Sequence, residues 1–378
     1  MALQRLAGNH AVTSLVRHAA GRVIQRLAYT DPPTTWPATI RIKRSEEGLE
    51  GVYFVRDGTD QIVLKPLVET GTVEYASLFM ELGMRLDAPQ SRTYSKHSPQ
   101  GQEIARLFAT KPIENEKKPG EAKAQIDNAN YWLVMNTVRG KSIQKLDDAE
   151  ATEFINNDEA LKALGRIMVA DAFLGNEDRL VGMQVNLGNF FYAVASGVTP
   201  GVVRTIDNEA RFPLTRAPNV RGSLAKKLDI VDKLLDTATQ QGRAFYLLSF
   251  LTKFKSSHRN HPNTLLAVAA RGENAIKDKI SEGIDDALGD IALVFKQNID
   301  LVRAVAVSPE AESLALRDPG GAKAIAHYIR ARVRQGLTPT KATKQLKHYV
   351  EYRARRNNAP AGLKWVTRVV SKVGFSFA

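Results

Sequence analysis

Between Asp171 and Asp207 the chain alternates apolar runs with polar turns in an order that few folds accommodate. An apolar stretch, Leu161 to Leu174, with Ile167, Met168, Val169 and Phe173, reads as a helix. It stops at a polar loop, Gly175-Asn176-Glu177-Asp178-Arg179. After a glycine-containing excursion, Asn189 opens a short strand over Phe190 to Val194. A second strand, Val202 to Ile206, delivers Asp207 and Asn208. A buried helix feeding a hairpin dictates mixed α and β structure, with oxygen-bearing side chains gathered where helix and strands end.

That order of groups is the one phosphoryl transfer needs. A hydroxyl nucleophile requires an acceptor for its proton, and Mg²⁺-bound phosphates require hard oxygen ligands from neighbouring strand ends. In this order Asp178 is the base, and Asn189 and Asp207 are the metal ligands. Taken singly, each motif also suits an Asn/Asp-rich turn; three in sequence favour the kinase reading. The segment resembles the catalytic region of actin-fragmin kinases and, more distantly, of type II phosphatidylinositol 4-kinases. The resemblance rests on Asn176-Glu177-Asp178-Arg179, on Asn189-Phe190-Phe191, and on Ile206-Asp207-Asn208 where ordinary protein kinases carry D-F-G. It implies a two-lobed protein-kinase-like α+β fold, with a small antiparallel β lobe, a larger helical lobe, and ATP and Mg²⁺ as cofactors. Arg179 is expected to screen charge near the loop.

Upstream, the sequence holds the pieces a nucleotide-binding lobe requires. Ala38 to Arg44, Val52 to Arg56 and Gln61 to Lys65 read as three strands, with Asp57-Gly58 a hairpin turn. Gly48 and Gly51, between the first two strands, would let backbone N–H groups approach phosphate oxygens. Lys65 ends the apolar run Ile62-Val63-Leu64, the place of a lysine that holds the α- and β-phosphates; a solvated strand-end charge is its plainer reading. Thr70 to Leu86 reads as an amphipathic helix, from which Glu74 would orient Lys65, with Glu81 on the same face as a second choice. Pro112 to Lys123 reads as an exposed insertion loop. Tyr131 to Val138 reads as a buried strand leading to a hinge in which Met135, Asn136 and Thr137 meet adenine through their backbone. Beyond Asp207, helices are expected near Ser223–Asp236, Gly242–Phe254 and Ala275–Val302; His258 and His261 suit a helix-end loop better than a metal pair.

The remaining segments bear on partners. Met1 to Leu27 is a small basic amphipathic stretch, and its Leu-Gln-Arg-x-x-Gly-Asn-x-Ala-Val wording resembles the leaders of bacterial contractile-injection-system cargo proteins. The likeness implies an effector or toxin made in the bacterial cytoplasm, loaded into an extracellular particle through residues 1–27 and delivered to a target-cell cytosol. Thr30 to Pro37, with three prolines, reads as a linker. The expected division is thus 1–29 loading segment, 30–37 linker, 38–138 small lobe, 139–320 large lobe and 321–378 basic helical extension. Of a formal net charge of +13, nearly all lies in Gly321 to Ala378. Residues 341–378 would meet an acidic partner or an anionic membrane, whereas no zinc-finger, RRM or helix-turn-helix signature points to nucleic acid. With no cysteine there are no disulfides or thiolate metal sites, and no apolar run reaches the ~18 residues of a membrane-spanning helix. The expected activity is transfer of the ATP γ-phosphoryl group to a hydroxyl of a target-cell protein, with actin or another cytoskeletal protein the first choice. A phosphoinositide kinase, an AMP transferase and a non-catalytic pseudokinase stand as alternatives.

Overall fold

The computed structural model describes residues 39–45, 51–57, 60–68, 73, 76–77, 79–89, 91–116, 120–181, 185–197, 199–208, 230–231, 233–234 and 240–307. Its first part is a six-stranded sheet built from β1 (Arg41–Arg44), β2 (Tyr53–Asp57), β3 (Asp60–Leu67), β4 (Ser91–Ser95), β5 (Ile113–Glu114) and β6 (Tyr131–Asn136). The strand order is β4-β6-β3-β2-β1-β5, antiparallel throughout except for the short β1–β5 pair. Alternation along the strands sends Ile42, Tyr53, Val55, Leu64, Trp132 and Val134 to one face. Two helices cover that face, α1 (Pro99–Thr110) and α2 (Glu121–Asn128). α1 starts where Ser98 accepts from the Gly101 N–H at 3.1 Å, with Pro99 in the first turn, and buries Ile104, Leu107 and Phe108. Phe108 stacks on Trp132 with centroids 5.2 Å apart and meets Tyr53 edge-on at 4.9 Å. Lys65 points to the opposite face by the same alternation, together with Val63.

Two sequence expectations change here. Pro112 to Lys123 is not simply an exposed loop: Ile113 pairs beside Ile42, and α2 begins at Glu121 with Ala122 buried. Its charges mislead because they are spent inside the fold. Glu121 pairs with the buried Arg44 at 2.7 Å, and Glu116 accepts from the Ala122 N–H at 2.9 Å. The helix expected over Thr70 to Leu86 does not continue regularly to its end. Val73, Ala76 and Ser77 are helical, but Phe79–Gly83 form a π turn, in which Met84 N donates to Phe79 O at 3.0 Å. The chain then leaves through Arg85 at φ +55°. This wide turn drives Phe79, Met80 and Met84 into the core between the lobes.

From β6, residues 137–140 pass to β7 (Lys141–Ser142), which belongs to a second sheet, β7-β8-β9, with β8 (Phe190–Ala193) and β9 (Val202–Thr205). Gly140 (φ +113°) comes so close to β8 that a Cβ there would lie 2.5 Å from Tyr192 O. Around this sheet pack α3 (Asp148–Asn156), α4 (Asp158–Leu174), α5 (Arg243–Ser257), α6 (Pro262–Arg271) and α7 (Glu273–Val307). An Asp147–Glu150 capping box starts α3, and Asn157 caps α4 through the Ala160 N–H. α4 and α7 cross in direct backbone contact. A Cβ on Gly165 would lie 2.0 Å from Ile280 O, and one on Gly283 2.0 Å from Lys162 O. The large core of this lobe is filled by Phe154, Leu161, Phe173, Phe190, Phe250 and Ile284, all fully or almost fully buried. No helix among the described residues is long and apolar enough to cross a membrane. The expected loading segment, the linker and the basic extension lie outside the described residues.

Candidate active site

The site begins where α4 ends. Gly175, at φ +70°, stops the helix, and its N–H returns to Ala172 and Asp171 carbonyls. Asn176, almost fully buried, then accepts from the Asp178 N–H at 3.2 Å and donates to Asp207 O at 3.2 Å. A single carboxamide thus fixes the turn before Asp178 and ties it to the end of β9. Asp178 itself is exposed. Asn189 closes a 3₁₀ turn, Leu187–Asn189, and donates its Nδ2 to Asp178 O at 3.4 Å; its own carbonyl accepts from Ile206 N at 3.2 Å. With the amide nitrogen committed, the Asn189 side-chain oxygen is the atom left for a cation.

Asp207 adopts a left-handed conformation, φ +52°, which aspartate tolerates better than most residues. Its side chain remains 45% exposed and lies with Oδ1 3.7 Å from the Lys65 ammonium, which is 15% exposed. The lysine on β3 and the carboxylate after β9 therefore converge across the cleft between the sheets. Lys65 sits opposite Leu133 of β6, and Val63, two residues earlier on the same face, sits opposite Met135. Met135 and Asn136 end β6 and are half-buried, and Thr137 Oγ1 reaches Gln61 O at 3.5 Å. Of the three residues named as the hinge, Met135 and Asn136 still belong to the six-stranded sheet, and only Thr137 lies in the 137–140 passage to the second sheet. Gly51 is buried, and the space a side chain would need there is filled by Gln125 Oε1 at 2.0 Å and the Tyr53 hydroxyl at 2.8 Å. Gly48 and Glu74 lie outside the described residues.

Arg179, expected to screen charge near the loop, is fully buried. Its Nε donates to both oxygens of Asp171, at 3.0 Å each, and its Nη2 donates to Asp171 as well. Its Nη1 donates to Ile206 O at 3.0 Å and to Asn208 Oδ1, while Nη2 also faces Met80 Sδ at 3.7 Å. The guanidinium carbon sits 6.0 Å from the Phe190 ring centre. Burial pushes the Asp171 carboxyl above its ordinary range, to about 6, against the opposing pull of Arg179. Asn208, also buried, passes the connection on to Ser77 Oγ at 3.3 Å. Sequence reasoning gave no role to Asp171, Asn176 or Asn208. The available signal was a single acid, Asp171, in an otherwise apolar half-helix, where a charge requires a partner.

His258 and His261 lie together at the end of α5, their ring centres 5.2 Å apart. His258 is buried at the end of α5, its Nδ1 paired with Phe254 O at 2.9 Å and its ring 4.4 Å from that of Phe254. Among the described residues no group of three or more His, Cys, Asp or Glu is placed to hold a metal ion. A Mg²⁺ bound with substrate phosphates does not need one: it keeps several waters and takes only one or two protein oxygens. Asn189 Oδ1 and the half-exposed Asp207 carboxylate fit that demand.

A small antiparallel sheet bearing a lysine, set over a helical lobe whose loop and hairpin present Asp178, Asn189 and Asp207, is a two-lobed, protein-kinase-like α+β fold. The family model for the actin-fragmin kinase catalytic domain matches residues 29–195. That span includes Lys65, Asp178 and Asn189 and ends before β9 and Asp207. Among solved structures, the chain is similar to a putative aminoglycoside phosphotransferase from Ralstonia eutropha JMP134, at 8% identity and a TM-score of 0.24, over 85% of this chain and 98% of that one. It is also similar to the MAP kinase LmaMPK10 from Leishmania major, at 11% identity and a TM-score of 0.24, over 93% of this chain and all of that one. No curated protein matches the chain.

Proposed function

We propose that the chain transfers the γ-phosphoryl group of ATP to a hydroxyl of a protein, acting as a bacterial effector in a target cell. The observation that carries this reading is the approach of Lys65 to Asp207 at 3.7 Å, with Asn176 and Asn189 tying the Asp178 turn to the end of β9. Lys65 would hold phosphate oxygens, Asn189 and Asp207 would hold Mg²⁺, and exposed Asp178 would take the acceptor proton. Bound Mg²⁺–ATP supplies the phosphoryl group and neutralises charge developing on its oxygens. Asn176 keeps Asp178 and Asp207 in fixed relation, so base and metal ligand are preorganised before either ligand arrives. The actin-fragmin kinase match favours a protein acceptor, with actin the first to try.

The same proposal gives residues 1–27 the role of loading the chain into a contractile particle. Residues 341–378 would supply a cationic surface for an acidic partner. The test of the activity is incubation with γ-labelled and α-labelled ATP, Mg²⁺ and a eukaryotic lysate, with purified actin in parallel. Label from the γ position alone should enter protein. Transfer of the α label would make the chain a nucleotidyl transferase; incorporation into lipid alone would make it a lipid kinase.

A further inference from the structure

Arg179 is next in sequence to the candidate base, yet its side chain points away from the cleft into the core. Fully buried ion pairs are weak devices for stability, because apolar residues of similar volume often do as well or better. What an arginine adds at such a place is geometry: a rigid planar fork whose donors meet several acceptors at fixed angles, which neither lysine nor a hydrophobic side chain reproduces. Here the acceptors come from different elements. Asp171 belongs to α4, Ile206 and Asn208 flank Asp207, and Met80 lies in the π turn of the small lobe. The two grips on Ile206 O and Asn208 Oδ1 straddle the one residue held at φ +52°, whose own carbonyl is bonded to Asn176.

We infer that Arg179 is a positioning residue that locks the Asp178 loop, the Asp207 turn and the helical stretch around Ser77 and Met80 into one unit. Base and metal ligand then move only together. The inference rests on the phosphotransfer reading of the site and concerns how that site is held. Asp171 anchors the unit on α4, and Asn208 extends it to Ser77 Oγ at 3.3 Å. Loosening the arginine should therefore weaken metal-dependent nucleotide binding before it unfolds anything.

The experiment compares wild type with two variants. One is the double variant Asp171→Leu, Arg179→Met, which removes both charges and keeps the volume. The other is Asn208→Leu, which leaves the ion pair intact. Both are followed by thermal melting, by amide hydrogen exchange, and by Mg²⁺ titration of the binding of a fluorescent ATP analogue. Melting within a few degrees of wild type is expected, with exchange at residues 176–179 and 206–208 rising at least about tenfold. The Mg²⁺ concentration for half-maximal nucleotide binding should rise about 10- to 100-fold, as when the support of a metal ligand is removed. A folded double variant with wild-type exchange in both segments and an unchanged Mg²⁺ curve overturns the inference. If the double variant fails to fold, Asn208→Leu decides by the same two readouts. If the wild type transfers no phosphoryl group, the functional reading falls while the exchange data still decide the role of Arg179.

Discussion

Alanine at Gly165 would force α4 and α7 apart. Its Cβ would lie 2.0 Å from Ile280 O and 2.6 Å from Ile284 N, both backbone atoms that cannot rotate away. A tolerable contact begins near 3.0 Å, so the helices must separate by at least about 1 Å, a gap that forfeits a quarter to a half of the dispersion energy between facing atoms. Alanine gains about 1 kcal/mol over glycine in a helix, whereas overpacking of this kind costs typically 1–3 kcal/mol, leaving a net loss of up to about 2 kcal/mol. Gly165→Ala and Gly283→Ala should each lower the melting temperature by up to roughly 8 °C. Gly289 supplies the control: it lies on α7, and a Cβ there meets nothing within 4 Å. Gly289→Ala should leave stability unchanged or raise it by up to about 1 kcal/mol. The assay is a melt of the three single variants beside wild type. Because α4 delivers Asp171 and the Asp178 loop, the first two changes should also reduce turnover. If all three moved the melting temperature upward, the backbone contact between α4 and α7 would be refuted.

Two further outcomes follow from buried groups. Burial holds His258 below its ordinary value of 6.5, so the unfolded chain takes up a proton first as the pH falls. Its contribution to stability is complete above 6.5 and is lost as the pH drops toward the lower, folded value. Asp171 acts in the opposite sense: raised to about 6, its contribution is complete below 3.8 and is lost as the pH rises through 6. His258→Phe keeps a ring against Phe254 and should flatten the fall in melting temperature below pH 6.5; an unaltered pH profile would count against a neutral buried imidazole. Phe108→Ala empties the space between Trp132 and Tyr53 and should cost about 3–5 kcal/mol in denaturant unfolding, whereas a loss below about 1 kcal/mol would mean that α1 does not cover the sheet.

Much of the 171–207 segment was legible because local chemistry specified it. The apolar run before Gly175 is α4, and the two short strands beyond Asn189 are β8 and β9. Lys65 was legible as a strand residue because it follows the apolar run Ile62-Val63-Leu64, although β3 continues past it to Leu67 and only the folded chain shows Asp207 opposite it. What escaped was non-local. Arg179 in a polar loop looks solvated, and its burial depends on an acid two helical turns earlier and an asparagine 29 positions later. The π turn at Phe79–Gly83 escaped because one extra residue in a turn leaves the apolar spacing nearly unchanged. The 112–123 stretch misled because composition shows charge but not the buried arginine that one of its glutamates pairs with.

The most direct test of the phosphotransfer account is single-turnover transfer from γ-labelled ATP by purified wild type, Asp178→Ala and Asp207→Ala, alongside Mg²⁺-dependent nucleotide binding. Both aspartates are exposed, so Asp178→Ala should leave the melting temperature nearly unchanged, whereas Asp207→Ala, at a left-handed position that aspartate tolerates better than alanine, should lower it slightly without unfolding the chain. Each should reduce transfer by about 10²- to 10³-fold, the loss expected on removing one preorganised polar group, or roughly 3–4 kcal/mol. Asp207→Ala should also lose metal-dependent nucleotide affinity, whereas Asp178→Ala should retain it. Turnover close to wild type in either folded variant would contradict the assignment of base and metal ligand on which the account stands.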